Sequence, residues 1–164
     1  MKTIFQVIAI AMIIAFSTQA EAQRNYTTAA GVRLGSYTFT NLSLKHFLTD
    51  QGAVEVTTGL RSFGLFGFRR TRIDVGAIYQ HHFPLEVDIP GTLQWYIGVG
   101  GNLGFYSGFE TGLEISIMGG GGVDYKFDDL PLNVSIDLYL GPFFGLYQGI
   151  GTRTGGLAVR YTIK

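Results

Sequence analysis

Between Leu132 and Leu140 every second residue is apolar: Leu132, Val134, Ile136, Leu138 and Leu140, with Asn133, Ser135, Asp137 and Tyr139 between them. A side-chain period of two marks a β-strand with one apolar and one polar face. The same alternation recurs along most of the chain, which restricts the fold to sheet. It does not say which face points inward. A soluble ligand-binding barrel and a membrane barrel both alternate, with the faces exchanged.

Eight segments carry strand patterning: Ala29–Tyr37, Asn41–Leu48, Ala53–Phe63, Arg70–Phe83, Thr92–Ser107, Leu113–Phe127, Leu132–Phe144 and Thr154–Lys164. Between them lie turn signals built from Asp, Pro and Gly, such as TDQG (Thr49–Gly52), PLEVDIPG (Pro84–Gly91) and DDLP (Asp128–Pro131). The amino-terminal segment aside, nothing shows a sustained helical period, and nothing is long and apolar enough for a transmembrane helix.

One strand face carries Val32, Leu34, Leu42, Leu44, Val56, Leu60, Ile73, Val75, Trp95, Ile97, Val99, Ile115, Ile117, Ile136, Leu138, Leu157 and Val159, with no charge among them. The other carries Arg33, Lys45, Glu55, Arg61, Arg72, Asp74, Glu114, Asp124, Lys126, Asp137 and Arg160, interspersed with Gly98, Gly100, Asn102, Gly104, Ser116, Gly120, Gly122 and Ser135. A solvated face would be dense in Lys and Glu and seldom lined with Gly. Small residues beside opposite charges suit a narrow interior, and eight strands close a barrel just wide enough for side chains to fill. Buried charges are tolerated when paired. The polar face is therefore expected inside, with its charged residues as a shared lumen network. The apolar face is expected outside, in lipid, where a closed barrel satisfies every backbone group. Aromatic residues near strand ends, among them Tyr37, Phe39, Phe63, Phe83, Phe105, Tyr106, Tyr125, Phe127, Phe143, Phe144 and Tyr147, are expected to form girdles at the membrane edges.

The amino terminus agrees with export. Lys2 precedes an apolar run from Ile4 to Phe16 interrupted only by Gln6, and AEA at Ala20–Ala22 is a small-residue cleavage signal. Residues 1–22 are expected to be a signal peptide and 23–164 a single barrel domain, which places the product in the outer membrane of a Gram-negative bacterium.

LQWYIGVGGNLG (Leu93–Gly104), GVDYKFDDLPLNVSIDL (Gly122–Leu138) and GGLAVRYTIK (Gly155–Lys164) resemble the small outer-membrane β-barrel proteins of Bacteroidota, broadly similar to OmpA- and OmpX-type barrels. The resemblance implies an eight-stranded antiparallel up-and-down barrel and a location more than an activity. The expected partners are outer-membrane lipid and, during biogenesis, the barrel-insertion machinery, with the protein monomeric.

Several chemistries are not supported. The 12 basic and 12 acidic residues balance, which suggests no nucleic-acid partner. GVGGNLG and GGGG (Gly119–Gly122) lack the helix start and Lys-Ser/Thr pair of a phosphate loop, so no cofactor is expected. His81 and His82 are strand neighbours pointing to opposite faces, which argues against a shared metal. No Ser, His and carboxylate constellation is evident, so no catalytic residue is assigned. The expectation is a structural or interaction barrel, not an enzyme; a small pore or a lipid-A-modifying barrel enzyme is the alternative.

Overall fold

The computed structural model describes residues 26–35, 40–65, 68–108, 111–146 and 148–163. The expected signal segment, and Tyr37, Phe39 and Tyr147, lie outside these residues. The described chain is all-β. Its strands are β1 (Thr28–Leu34), β2 (Thr40–Phe47), β3 (Gly52–Leu65), β4 (Phe68–Leu85), β5 (Thr92–Gly108), β6 (Gly112–Lys126), β7 (Leu132–Gly145) and β8 (Gly149–Ile163). Each pairs antiparallel with its sequence neighbours, and β8 pairs with β1, so the sheet closes into a barrel.

The TDQG, PLEVDIPG and DDLP signals each join paired strands, with Gly52 opening β3 and Pro84 and Leu85 closing β4. Gly91 holds the second of these turns at φ 125, a conformation side chains rarely adopt. With Thr28 and Ile163, which face each other, these turns form one end of the barrel, here the terminal end. The connections β1–β2, β3–β4, β5–β6 and β7–β8 form the distal end.

The strand segments fall close to the sequence expectation, with one shift. β8 begins at Gly149, ahead of the expected Thr154. Its register slips between Tyr139 and Leu140: Thr154 faces Tyr139 and Thr152 faces Leu140, so Arg153 is the extra residue of a β-bulge. The bulge breaks the two-residue period, and with it the signal that marks a strand.

The core is the barrel interior, and it is polar. Glycines make the narrow closure possible. A Cβ on Gly98 would lie 2.9 Å from Tyr139 Oη and 2.7 Å from the Tyr79 carbonyl oxygen, and one on Gly104 would lie 2.9 Å from Arg72 Nη2. Glycine at these inward positions leaves room for long side chains reaching across from other strands.

Candidate functional site

The inward face is set by strand parity. Lys45 on β2 and Glu55 on β3 are cross-strand partners, as are Arg33 on β1 and Asn41 on β2. Arg33, Lys45, Glu55, Asp124, Asp137 and Arg160 are buried, Arg33, Lys45, Glu55 and Arg160 completely. They form one connected group. Glu55 Oε1 accepts from Arg160 Nη2 at 2.5 Å, from Arg33 Nη1 at 3.2 Å and from Ser43 Oγ at 2.7 Å. Its Oε2 accepts from Gln80 Nε2 at 2.7 Å. Arg33 also pairs with Asp137, and Lys45 with Asp124. Arg160 Nε donates to Ser43 Oγ at 2.7 Å, and its Nη1 donates to Ser135 Oγ at 2.9 Å and Asn133 Oδ1 at 3.1 Å. Each charge thus meets opposite charge and polar partners, which is the condition for holding ions away from water.

A second group lies toward the distal end. Arg72 Nη2 donates to Asp74 Oδ1 at 2.7 Å and to Glu114 Oε1 at 3.1 Å, and Arg72 also bonds the Tyr106 hydroxyl. Asn102 Nδ2 donates to Asp74 Oδ1 at 3.0 Å. Between the two groups Ile78, Tyr96, Met118 and Tyr139 pack as a buried apolar layer. Tyr96 Oη donates to Asp137 Oδ2 at 2.7 Å, which ties that layer to the ions below it. The terminal end is floored by rings. Phe47 packs against Tyr26 at 5.4 Å and His82 at 5.0 Å, and His82 against Tyr96 at 4.8 Å, as ring-centroid separations.

The sequence-derived lumen residues therefore separate into distinct sets. Arg33, Lys45, Glu55, Asp124, Asp137 and Arg160 form the large group, and Arg72, Asp74 and Glu114 form the small one. Lys126 is buried but caps a turn: Nζ donates to the Leu130 carbonyl oxygen at 2.9 Å and to that of Phe127. Arg61 has the inward parity and faces Arg72 in the register, yet it is exposed. Arg61 therefore has the parity of the lumen residues but an exposed side chain, toward the distal end of β3.

Aromatic positions need a further correction. Phe83 stacks on Trp95 at 4.3 Å, and Tyr125 meets Phe127 at 4.6 Å, all near the terminal end. Phe105 and Phe144 are exposed near the distal end. Tyr106, expected in a girdle, points inward to Arg72. Phe143 shares the inward parity with its partner Ser116. Tyr96, Phe47, Ile78 and Met118 are lumen residues that the charge-and-glycine reading missed, whereas Tyr139 lies inside with the polar face of β7, as its alternation predicts. His46 bonds Thr28 at 2.9 Å, and His81 packs against Phe83, whereas His82 is in the lumen floor.

The outer face inverts the usual distribution. Leu42, Ile97, Ile117, Ile136 and Leu138 are each at least half exposed, while the ion pairs are buried. No protein-family model matches the chain, and no curated protein or solved structure matches it.

Proposed function

We propose that this chain is an integral outer-membrane β-barrel of the structural or interaction type, resembling the small barrels of Bacteroidota, with a lumen plugged by its own side chains. The observation that carries the reading is the inversion of the barrel: a continuous exposed apolar belt around a buried ionic interior. A contiguous apolar surface beyond a few hundred Å² is rare on a soluble monomer.

The dimensions of the belt agree with a bilayer. On β5 the outward residues run from Trp95 through Ile97, Val99 and Leu103 to Phe105, all exposed. At the strand tilt of a closed barrel this stretch rises roughly 25 Å along the axis, the height of the apolar band on outer-membrane barrels. Tyr125 to Ile115 on β6, Phe83 to Ile73 on β4 and Val134 to Phe144 on β7 repeat the same interval. Rings cluster at both limits of the belt, as interfacial girdles do.

The interior favours a plug over a channel. Eight strands leave a bore that side chains fill, and water-filled porins use about twice as many strands. Here two ionic groups and an apolar layer occupy the bore in series. The reading assigns no catalytic step to any of the three histidines. The test is refolding from urea into phosphatidylcholine vesicles, followed by planar-bilayer recording. Folding in lipid without steady conductance is expected. A protein that stays monodisperse in buffer without detergent overturns the membrane assignment, and steady conductance overturns the plug.

A further inference from the structure

The three turns of the terminal end are not alike. All carry exposed carboxylates: Asp50 in β2–β3, Glu86 and Asp88 in β4–β5, and Asp128 and Asp129 in β6–β7. The β2–β3 and β6–β7 turns hold one exposed leucine each, Leu48 and Leu130. The β4–β5 hairpin instead continues the apolar surface of the wall. Phe83 and Trp95, the stacked outward pair at the limit of the belt, are cross-strand partners. Leu85 and Leu93 form the next outward pair, and Val87 and Ile89 follow in the turn itself. Leu85, Val87 and Ile89 are all exposed.

The turn leans onto the outside of the wall. It rests on Tyr125, an outward residue of β6 between the buried Asp124 and Lys126. The Tyr125 hydroxyl donates to the Pro90 carbonyl oxygen. Gly91 lies against the same ring, where a Cβ would stand 2.7 Å from Tyr125 Oη. The Ile89 amide also donates to the Val87 carbonyl oxygen at 2.9 Å, closing a tight turn around Asp88. These bonds set the level of the apolar tip. Leu85 stands two residues beyond Phe83, roughly 5 Å further along the axis at the usual tilt. Pro90 is held by Tyr125, the cross-strand partner of Leu93. The headgroup layer of a bilayer extends roughly 5–7 Å beyond the hydrocarbon on each side. The tip therefore lies at the height of that layer, on the outer side of the wall.

We propose that the β4–β5 turn is an interfacial anchor. Val87 and Ile89 enter the boundary between headgroups and acyl chains of a zwitterionic phospholipid leaflet, and Glu86 and Asp88 stay at its aqueous edge. The two carboxylates disfavour an anionic surface by like-charge repulsion, which salt screens. The proposal rests on the membrane reading above. It adds a segment outside the strands to the lipid contact, at one of the three turns.

The chain has no cysteine, so single labels can be placed without background. Val87→Cys and Ile89→Cys are each spin-labelled and the barrel is refolded into phosphatidylcholine vesicles. Ile136→Cys at mid-belt and Asp129→Cys in the β6–β7 turn serve as the lipid and water references. The readout is the collision of each label with dissolved oxygen, which partitions into lipid, relative to a nickel chelate, which stays in water. The ratio at the two β4–β5 labels should lie between the references and well above that of Asp129→Cys. Replacing part of the phosphatidylcholine by phosphatidylglycerol should lower it, and added sodium chloride should restore it. Tyr125→Phe should move the Val87→Cys label toward the water reference by releasing Pro90; an unmoved label removes Tyr125 from the anchor. Should either turn variant fail to refold, Leu85→Cys reads the same surface. Ratios at the turn equal to that of Asp129→Cys overturn the anchor alone. Ratios that ignore phosphatidylglycerol overturn the zwitterionic preference. An aqueous ratio at Ile136→Cys in the folded barrel overturns the membrane reading and the anchor together.

Discussion

Glu55 and Arg160 lie 105 residues apart in the chain and meet at 2.5 Å inside the lumen. The contact joins β3 to β8 across the bore, and Arg33 on β1 shares the same carboxylate oxygen. Glu55 is thus the junction through which the large ionic group crosses the barrel. Glu55→Ala should be strongly destabilising, because it leaves buried guanidinium groups short of a counter-charge. The expected loss is about 3–5 kcal/mol, lessened where water enters. Urea titration of the refolded barrel measures it. Arg61→Ala, at an exposed position, should cost no more than about 1 kcal/mol, the range of exposed ion pairs. Equal effects of the two substitutions would remove the distinction between network and exposed position.

The glycines offer a finer test of how tightly the bore is filled. Gly98 faces inward, and a Cβ there would meet Tyr139 Oη at 2.9 Å. Gly98→Leu should therefore destabilise by about 1–3 kcal/mol through overpacking. Gly119 lies on the adjacent strand facing outward, and its nearest neighbour to a Cβ is the Gly98 carbonyl oxygen at 3.9 Å. Gly119→Ala should be neutral or stabilising by up to about 1 kcal/mol, by restricting the unfolded chain. Heat-dependent gel mobility of the refolded variants should rank Gly119→Ala at or above the wild type and Gly98→Leu below it.

Strand parity was legible in the sequence because the outward-facing and lumen-facing residues differ so sharply in polarity. Every second residue of LNVSIDLYL belongs to one of the two sets. Tyr139 was placed inside by its alternation with Asp137, but Tyr96 was missed for a chemical reason. Tyr96 sits between Trp95 and Ile97, and parity alone turns it inward, but a tyrosine near a strand end also suits a girdle. Position along the axis was not legible at all. Arg61 has the parity of Glu55, and only its place toward the distal end of β3 separates their environments. The onset of β8 was hidden by the Arg153 bulge, which shifts Thr152 and Ile150 out of phase with Thr154.

Orientation follows from the terminal end. Asp50, Asp128 and Asp129 occupy short exposed turns there, beside the paired Thr28 and Ile163. An even strand number puts both chain ends on one side, expected to be the periplasm. A tag inserted between Ser107 and Gly112 should be reached by an impermeant probe on intact cells. A tag between Asp128 and Asp129 should be reached only after permeabilisation. The reverse labelling pattern would invert the barrel.

Ile136 and Ser135 separate the membrane reading from its soluble rival most directly. Ile136 is 62 % exposed in the middle of β7, whereas Ser135 is buried and accepts from Arg160 Nη1 at 2.9 Å. In lipid, Ile136→Arg places a cation near mid-depth and should cost roughly 2–4 kcal/mol. On a water-facing barrel the same substitution would be nearly neutral, as exposed replacements usually are. Ser135→Arg serves as the reference. It forces a second cation beside Arg160 in a filled bore and should be destabilising in either solvent. Urea titration in phosphatidylcholine vesicles therefore distinguishes them: both variants should lose stability if the belt faces lipid. A tolerated Ile136→Arg beside a damaging Ser135→Arg would keep the filled barrel and remove the membrane.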